Sequence, residues 1–188
     1  MDVLFASALV VALAEIGDKT MLLAVALAAR FRKPWPIIAG ILLATLANHA
    51  VAAWAGTMVA GLLDGTAFRI AVGLGFLAMA AWAMIPDKLD DSSDGGNRRF
   101  GAFLTTLVAF FIVEIGDKTQ IATIGLGARY QSVALVTIGT TAGMLLANVP
   151  AVLLGDRITS VVPMKWVRLG AAASFAILGL WTVAVAVS

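Results

Sequence analysis

The sequence predicts an all-α membrane protein of six transmembrane helices, arranged as two inverted three-helix repeats. Three observations lead there. The chain of 188 residues is 61% hydrophobic and 13% charged, with a mean hydropathy of +0.99, which is more apolar than soluble domains of this size. Several apolar runs exceed the ~18 residues that mark a membrane span. The third is a duplication: Glu15-Ile16-Gly17-Asp18-Lys19-Thr20 returns unchanged as Glu114-Ile115-Gly116-Asp117-Lys118-Thr119, each copy inside an apolar run.

Taken in order, the spans lie at roughly 3–29, 36–61, 68–85, 102–128, 132–154 and 166–187. The first has no basic segment before it and reads as a permanent span, not a cleaved signal. The first connector, Arg30-Phe31-Arg32-Lys33-Pro34-Trp35-Pro36, carries prolines that suit helix ends. The second is Leu63-Asp64-Gly65-Thr66. The longest runs from Pro86 to Phe100 and holds Asp87, Asp90, Asp91, Asp94, Gly95, Gly96, Arg98 and Arg99. It is polar and turn-rich, lacks the ligand spacing of an EF-hand, and reads as a solvated loop. The chain thus divides into a first three-helix repeat at 1–85, a polar connector at 86–101 and a second repeat at 102–188.

The offset between the motifs is 99 residues, from Glu15 to Glu114. The same offset relates Arg30 to Arg129, Gly40 to Gly139, Arg69 to Arg168 and Trp82 to Trp181. Asn48 and Asn148 match after a one-residue slip, which leaves the single histidine, His49, opposite Val149. An odd number of spans per repeat forces the second repeat to enter the membrane from the other side. Charge supports this. Connectors one, three and five hold nine of the 13 Lys and Arg residues, connectors two and four hold Arg69 and Arg129, and the motif lysines make up the rest. The positive-inside rule then places both termini outside and the 86–101 connector in the cytoplasm. Inverted repeats of this kind form transporter sites near the bilayer midplane.

Charged side chains deep in a bilayer cost about 2.5–3.5 kcal/mol each on insertion scales, so duplicated charges imply function. If each motif is helical, Glu15 and Asp18 share a face, as do Glu15 and Lys19. Gly17 and Gly116 permit close backbone approach or a local break that frees carbonyls. Facing each other across a pseudo-twofold axis, four carboxylates and two ammonium groups leave an excess of two negative charges. That excess balances one divalent cation or two protons. Glu15, Asp18, Glu114 and Asp117 are the candidate metal ligands. Thr20, Thr119, Gln120, Asn48, Asn148, Lys19 and Lys118 are supporting candidates. These hard oxygen donors suit Ca²⁺, Mg²⁺ and Mn²⁺. With no cysteine and one histidine, the chain offers no thiolate site. Met21, beside Thr20, adds a softer donor that points toward Mn²⁺.

Twin Glu-x-Gly-Asp-Lys-Thr/Ser motifs on the first and fourth of six spans resemble the small divalent-cation/proton exchanger family of Golgi, chloroplast and bacterial manganese transporters. The resemblance extends over essentially the whole chain. It implies a secondary antiporter that moves Mn²⁺ or Ca²⁺ against H⁺, and in a bacterial inner membrane it implies manganese export. By position, the family's metal-binding acids fall on Glu15, Asp18, Glu114 and Asp117. No resident cofactor is expected: the divalent cation is substrate. Expected partners are the metal ion, protons and the lipid bilayer, with room for a homo-oligomer and none for nucleic acid, since the net charge is only +2.

Rival readings remain distinct in what they predict. A channel would share the acids but need no proton coupling. An intramembrane aspartyl protease would use Asp18 and Asp117 as a dyad, which the neighbouring lysines oppose. An assembly protein would use the acids as ion-paired helix contacts, an expensive scaffold to duplicate. The chain is therefore expected not to be an enzyme. Asn48 and Asn148 serve equally well as interhelical hydrogen-bonding groups, and the tryptophans as interface anchors.

Overall fold

Among the described residues every regular element is a helix, and two of the breaks between helices fall at the charged motifs. The structure, a computed structural model, describes residues 2–62, 65–85, 101–155 and 164–187. Among these there are eight helices and no strand: α1 Val3–Glu15, α2 Lys19–Phe31, α3 Pro34–Leu62, α4 Thr66–Ala83, α5 Gly101–Val113, α6 Lys118–Tyr130, α7 Val133–Leu154 and α8 Met164–Val187. Most of the long polar connector (86–100, with its aspartates, Lys88, Arg98 and Arg99), Asp64 and Arg157 lie outside the described residues.

Local chemistry sets the ends. Asp2 caps α1, its carboxylate accepting from the Leu4 N–H at 3.1 Å. Pro34 and Pro36 sit in the first turn of α3, where a missing N–H costs nothing. Helices α2 and α6 both stop on a residue in the left-handed region, Arg32 (φ 53°) and Gln131 (φ 50°).

The sequence predicts spans over 3–29 and 102–128 with a local break at the glycine as one of two options, and the structure has the break in both. Each is two 13-residue helices meeting at a motif. At about 1.5 Å per residue, such a half-helix spans about 20 Å, short of the ~30 Å hydrocarbon core. Among the described residues four helices are long and apolar enough to cross a membrane: Pro34–Gly61, Thr66–Ala83, Val133–Leu154 and Lys165–Val187.

Packing runs mostly between the two halves of the chain. Helix α1 lies on α7 and α5 on α3; α3 also packs on α6, α7 on α2, and α4 on α8. The crossings recur at positions 99 residues apart. A Cβ on Gly139 would come within 2.8 Å of both the Leu4 carbonyl and Ser7 Cβ, and one on Gly40 within 2.8 Å of the Phe103 carbonyl and 2.9 Å of Thr106 Cβ. Only glycine lets these backbones approach so closely. Two apolar clusters result, one around Met21, Ile37, Ile41 and Phe110, the other around Phe76, Leu126, Val136 and Phe175. Outside, Val51, Trp54, Leu146, Ile177 and Leu180 are exposed, so the bundle is apolar on its outer face as well as within, as helices facing lipid must be.

Candidate metal centre

Each motif unwinds for one turn. Ile16 ends α1 in an extended conformation, Gly17 takes φ +84°, and Asp18 starts α2 as its N-cap, with its carboxylate accepting from the Lys19 N–H at 2.8 Å. The second motif repeats this: Gly116 takes φ +77° and Asp117 caps α6, accepting from the Thr119 N–H at 3.5 Å. Positive φ is the reason for glycine at both places. A helical motif would put glutamate and aspartate on one face. The turn instead keeps Glu114 and Asp117 in one cluster, while Asp18 stays outside the group that Glu15 joins.

The turns bring acids from the two halves together. Glu15, Glu114 and Asp117 each offer a carboxylate oxygen, and these lie within 4.8 Å of one another, all buried. Thr20 Oγ1 donates to Glu15 Oε1, and Thr119 Oγ1 donates to Glu114 Oε2 at 3.0 Å. Asn148 Nδ2 donates to Glu15 Oε1 at 2.9 Å and to the Met144 carbonyl at 3.1 Å. Lys19 Nζ stands 3.0 Å from Asp117 Oδ1, its side chain 29% exposed. Three carboxylates and one ammonium leave the same excess of two negative charges that the sequence suggests from four and two. Glu15 Oε2, Glu114 Oε1 and Asn148 Oδ1 are buried and accept no hydrogen bond.

Asp18 is not in this group. It lines a small cavity with Lys118 and Arg168, and an Asp18–Asp117 dyad of the protease kind is not what the cluster presents. Lys118 is buried, donates to the Ile85 carbonyl at 3.0 Å and lies 5.8 Å from the Trp82 ring centroid. Gln120 and Met21 play one part in the two breaks: the Gly116 N–H donates to Gln120 Oε1 at 2.7 Å, and the Gly17 N–H to Met21 Sδ at 3.4 Å. Both therefore tie the turn rather than face the acids. Asn48 donates to the Phe111 carbonyl at 3.0 Å and accepts from Gln120 at 3.5 Å.

Comparison with known proteins fixes the family. The chain matches the family described as "Divalent cation/proton antiporter GDT1" over residues 3–91 and 102–188. It belongs to the GDT1 family. Among similar proteins is one from Vibrio cholerae serotype O1 named "Putative manganese exporter", 51% identical over 183 residues, covering 97% of this chain and 90% of that one. Others are "GDT1-like protein 3" of Oryza sativa subspecies indica and japonica, each 27% identical over 192 residues, covering 88% of this chain and 68% of theirs. No solved structure matches the chain significantly. The family is one of membrane cation transporters, and its members act on ions, not on covalent bonds.

In this GDT1-family chain the offset of 99 also corrects the pairing of polar residues on α3 and α7. Asn148 faces Glu15 across the halves; the residue 99 positions earlier, His49, faces Glu114, with Nε2 4.0 Å from Oε2. No one-residue slip is needed, and the match of Asn48 to Asn148 was one of residue type only. His49 is fully buried with neither ring nitrogen hydrogen-bonded. The signal that would have found it was the unslipped offset itself.

Proposed function

We propose that the protein is a secondary transporter that exchanges a divalent cation, Mn²⁺ ahead of Ca²⁺, for protons and exports the metal from the cytoplasm. One observation carries this reading: three buried carboxylates from opposite halves of an apolar bundle converge within 4.8 Å. Glu15, Glu114 and Asp117 bind the metal. Asp18, 99 residues before Asp117, takes up the equivalent role when the other side of the molecule opens.

The architecture that supports this is six membrane crossings in two inverted repeats, 1–85 and 102–188, joined by a cytoplasmic 86–101 segment in a bacterial inner membrane with both termini outside. Helices α1 and α2 together make the first crossing, and α5 and α6 the fourth. The contacts recurring 99 residues apart favour it.

Carboxylates must lose protons to bind metal. A site with two excess negative charges holds either one divalent cation or two protons, and the two compete. Thr20, Thr119 and Asn148 hold the glutamates in place by hydrogen bonds. Lys19 pairs with Asp117 when metal is absent, and an arriving cation competes with its ammonium for that carboxylate. An inward proton gradient then drives metal outward.

The test is reconstitution of the full chain in liposomes, with a panel of Mn²⁺, Ca²⁺ and Mg²⁺ and pH set on each side. Exchange predicts Mn²⁺ movement that raises proton flux in the opposite direction and reverses with the pH gradient. A channel would show metal flux indifferent to that gradient.

A further inference from the structure

Four buried acceptor-capable groups surround the acidic cluster without hydrogen-bond partners: Glu15 Oε2, Glu114 Oε1, Asn148 Oδ1 and the His49 ring. Buried polar atoms are rarely left so, and a group of them around one point calls for a common ligand. Three are oxygens and fit any hard cation. His49 is the exception: it offers ring nitrogens, and it lies on α3 outside both motifs, as Asn148 lies on α7.

Its geometry favours a shared cation over a direct bond to Glu114. At 4.0 Å, Nε2 and Glu114 Oε2 are too far apart for a hydrogen bond. Ligand atoms about 2.0–2.6 Å from one hard cation stand roughly 3–5 Å from each other, and the 4.0 Å from His49 Nε2 to Glu114 Oε2 falls in that range. Neither ring nitrogen has a hydrogen-bond partner among the described residues. Position adds a second argument. His49 and Asn148 sit 99 residues apart on α3 and α7 and approach Glu114 and Glu15 in turn. The two halves thus bring one imidazole and one amide side chain to the same cluster, the amide through its Nδ2 donor to Glu15.

We propose that His49 is a nitrogen ligand of the transported cation, and that this single substitution of nitrogen for oxygen makes the site prefer a first-row transition ion such as Mn²⁺ over Ca²⁺ and Mg²⁺. The inference rests on the transporter reading above and deepens it. Imidazole binds first-row transition ions well and the alkaline-earth ions poorly, whereas a site of oxygens alone accepts both. His49 therefore sets specificity, while the carboxylates supply most of the attraction.

The chain has one histidine, so isotope labelling reports this residue alone. The experiment takes the full-length protein without a histidine tag, loads it with Mn²⁺ in detergent, and records pulsed electron paramagnetic resonance with ¹⁴N- and ¹⁵N-histidine. A directly bound nitrogen coupling that changes with the isotope is expected. H49N should retain bound Mn²⁺, lose that coupling, and shift the Mn²⁺:Ca²⁺ preference in liposomes toward Ca²⁺ by about tenfold, the lower end of what one ligand-sphere change brings. H49Q serves the same purpose should H49N fold poorly, and the isotope measurement on the parent chain needs no variant. Bound Mn²⁺ with no histidine coupling, or an unchanged preference in both variants, would overturn the assignment. Failure of the transporter reading is separate: it would appear as a parent chain that neither binds nor moves Mn²⁺ and is indistinguishable from E114Q.

Discussion

The two copies of the motif are identical for six residues, yet they sit in unequal surroundings. In both, glycine turns the chain, aspartate caps the next helix and threonine holds the glutamate. Beyond those local features they part. Asp117 joins both glutamates and is held by Lys19, whose side chain reaches solvent. Asp18 lies outside that cluster, in a cavity with Lys118, which is buried and tied to the Ile85 carbonyl. Glu15 meets an asparagine from the other half and Glu114 meets a histidine. Short-range sequence thus dictates the turn, while the other half of the molecule decides what each acid does. One sequence placed twice in unequal surroundings is what the proposed alternating-access reading expects, with the roles of the copies exchanged in the opposite state.

The largest expected effect is a loss at the shared acids. E15Q, E114Q and D117N should each lower Mn²⁺ transport by about 100-fold or more, measured as initial flux in liposomes. D18N should leave Mn²⁺ binding in this state nearly unchanged and slow only turnover. Equal loss of equilibrium binding in D18N and D117N would erase the distinction between the copies.

Next comes pH. If two protons compete with one cation, the apparent KM for Mn²⁺ should rise as pH falls, by up to about tenfold per pH unit for each coupled proton. A KM independent of pH would remove the exchange half of the account.

The lysines sharpen the comparison further. K19Q frees Asp117 and should tighten Mn²⁺ binding severalfold while impairing release. K118Q should leave affinity alone and lower thermal stability, because Lys118 contacts a backbone carbonyl and an aromatic ring. Opposite outcomes would mean that the state described here is not the metal-accepting one. Smallest is the turn: G17A and G116A each force an alanine into positive φ, at about 1–2 kcal/mol, read as similar drops in melting temperature in detergent.

Much of this was legible beforehand. The acids announced themselves as charges inside apolar runs, and the duplication gave a residue-by-residue correspondence. The break at Gly17 and Gly116 was visible only as one of two options, because a glycine in an apolar run serves close packing as readily as a turn. Asp18 and Asp117 have the same neighbours in sequence, so nothing local could say which one joins the glutamates. The partner of His49 was hidden by a resemblance of residue type: pairing Asn48 with Asn148 required shifting the register by one, and that shift set the histidine opposite Val149 instead of Asn148. Contacts between halves settle such matters, and a single sequence carries them only as a constant offset.

The central claim is that both halves contribute to one metal site, and counting bound metal tests it most directly. Equilibrium Mn²⁺ binding to the purified chain should give one ion per chain, with that ion lost in E15Q and equally lost in E114Q. Two ions per chain, reduced to one by either variant, would mean two separate half-sites and would contradict the account.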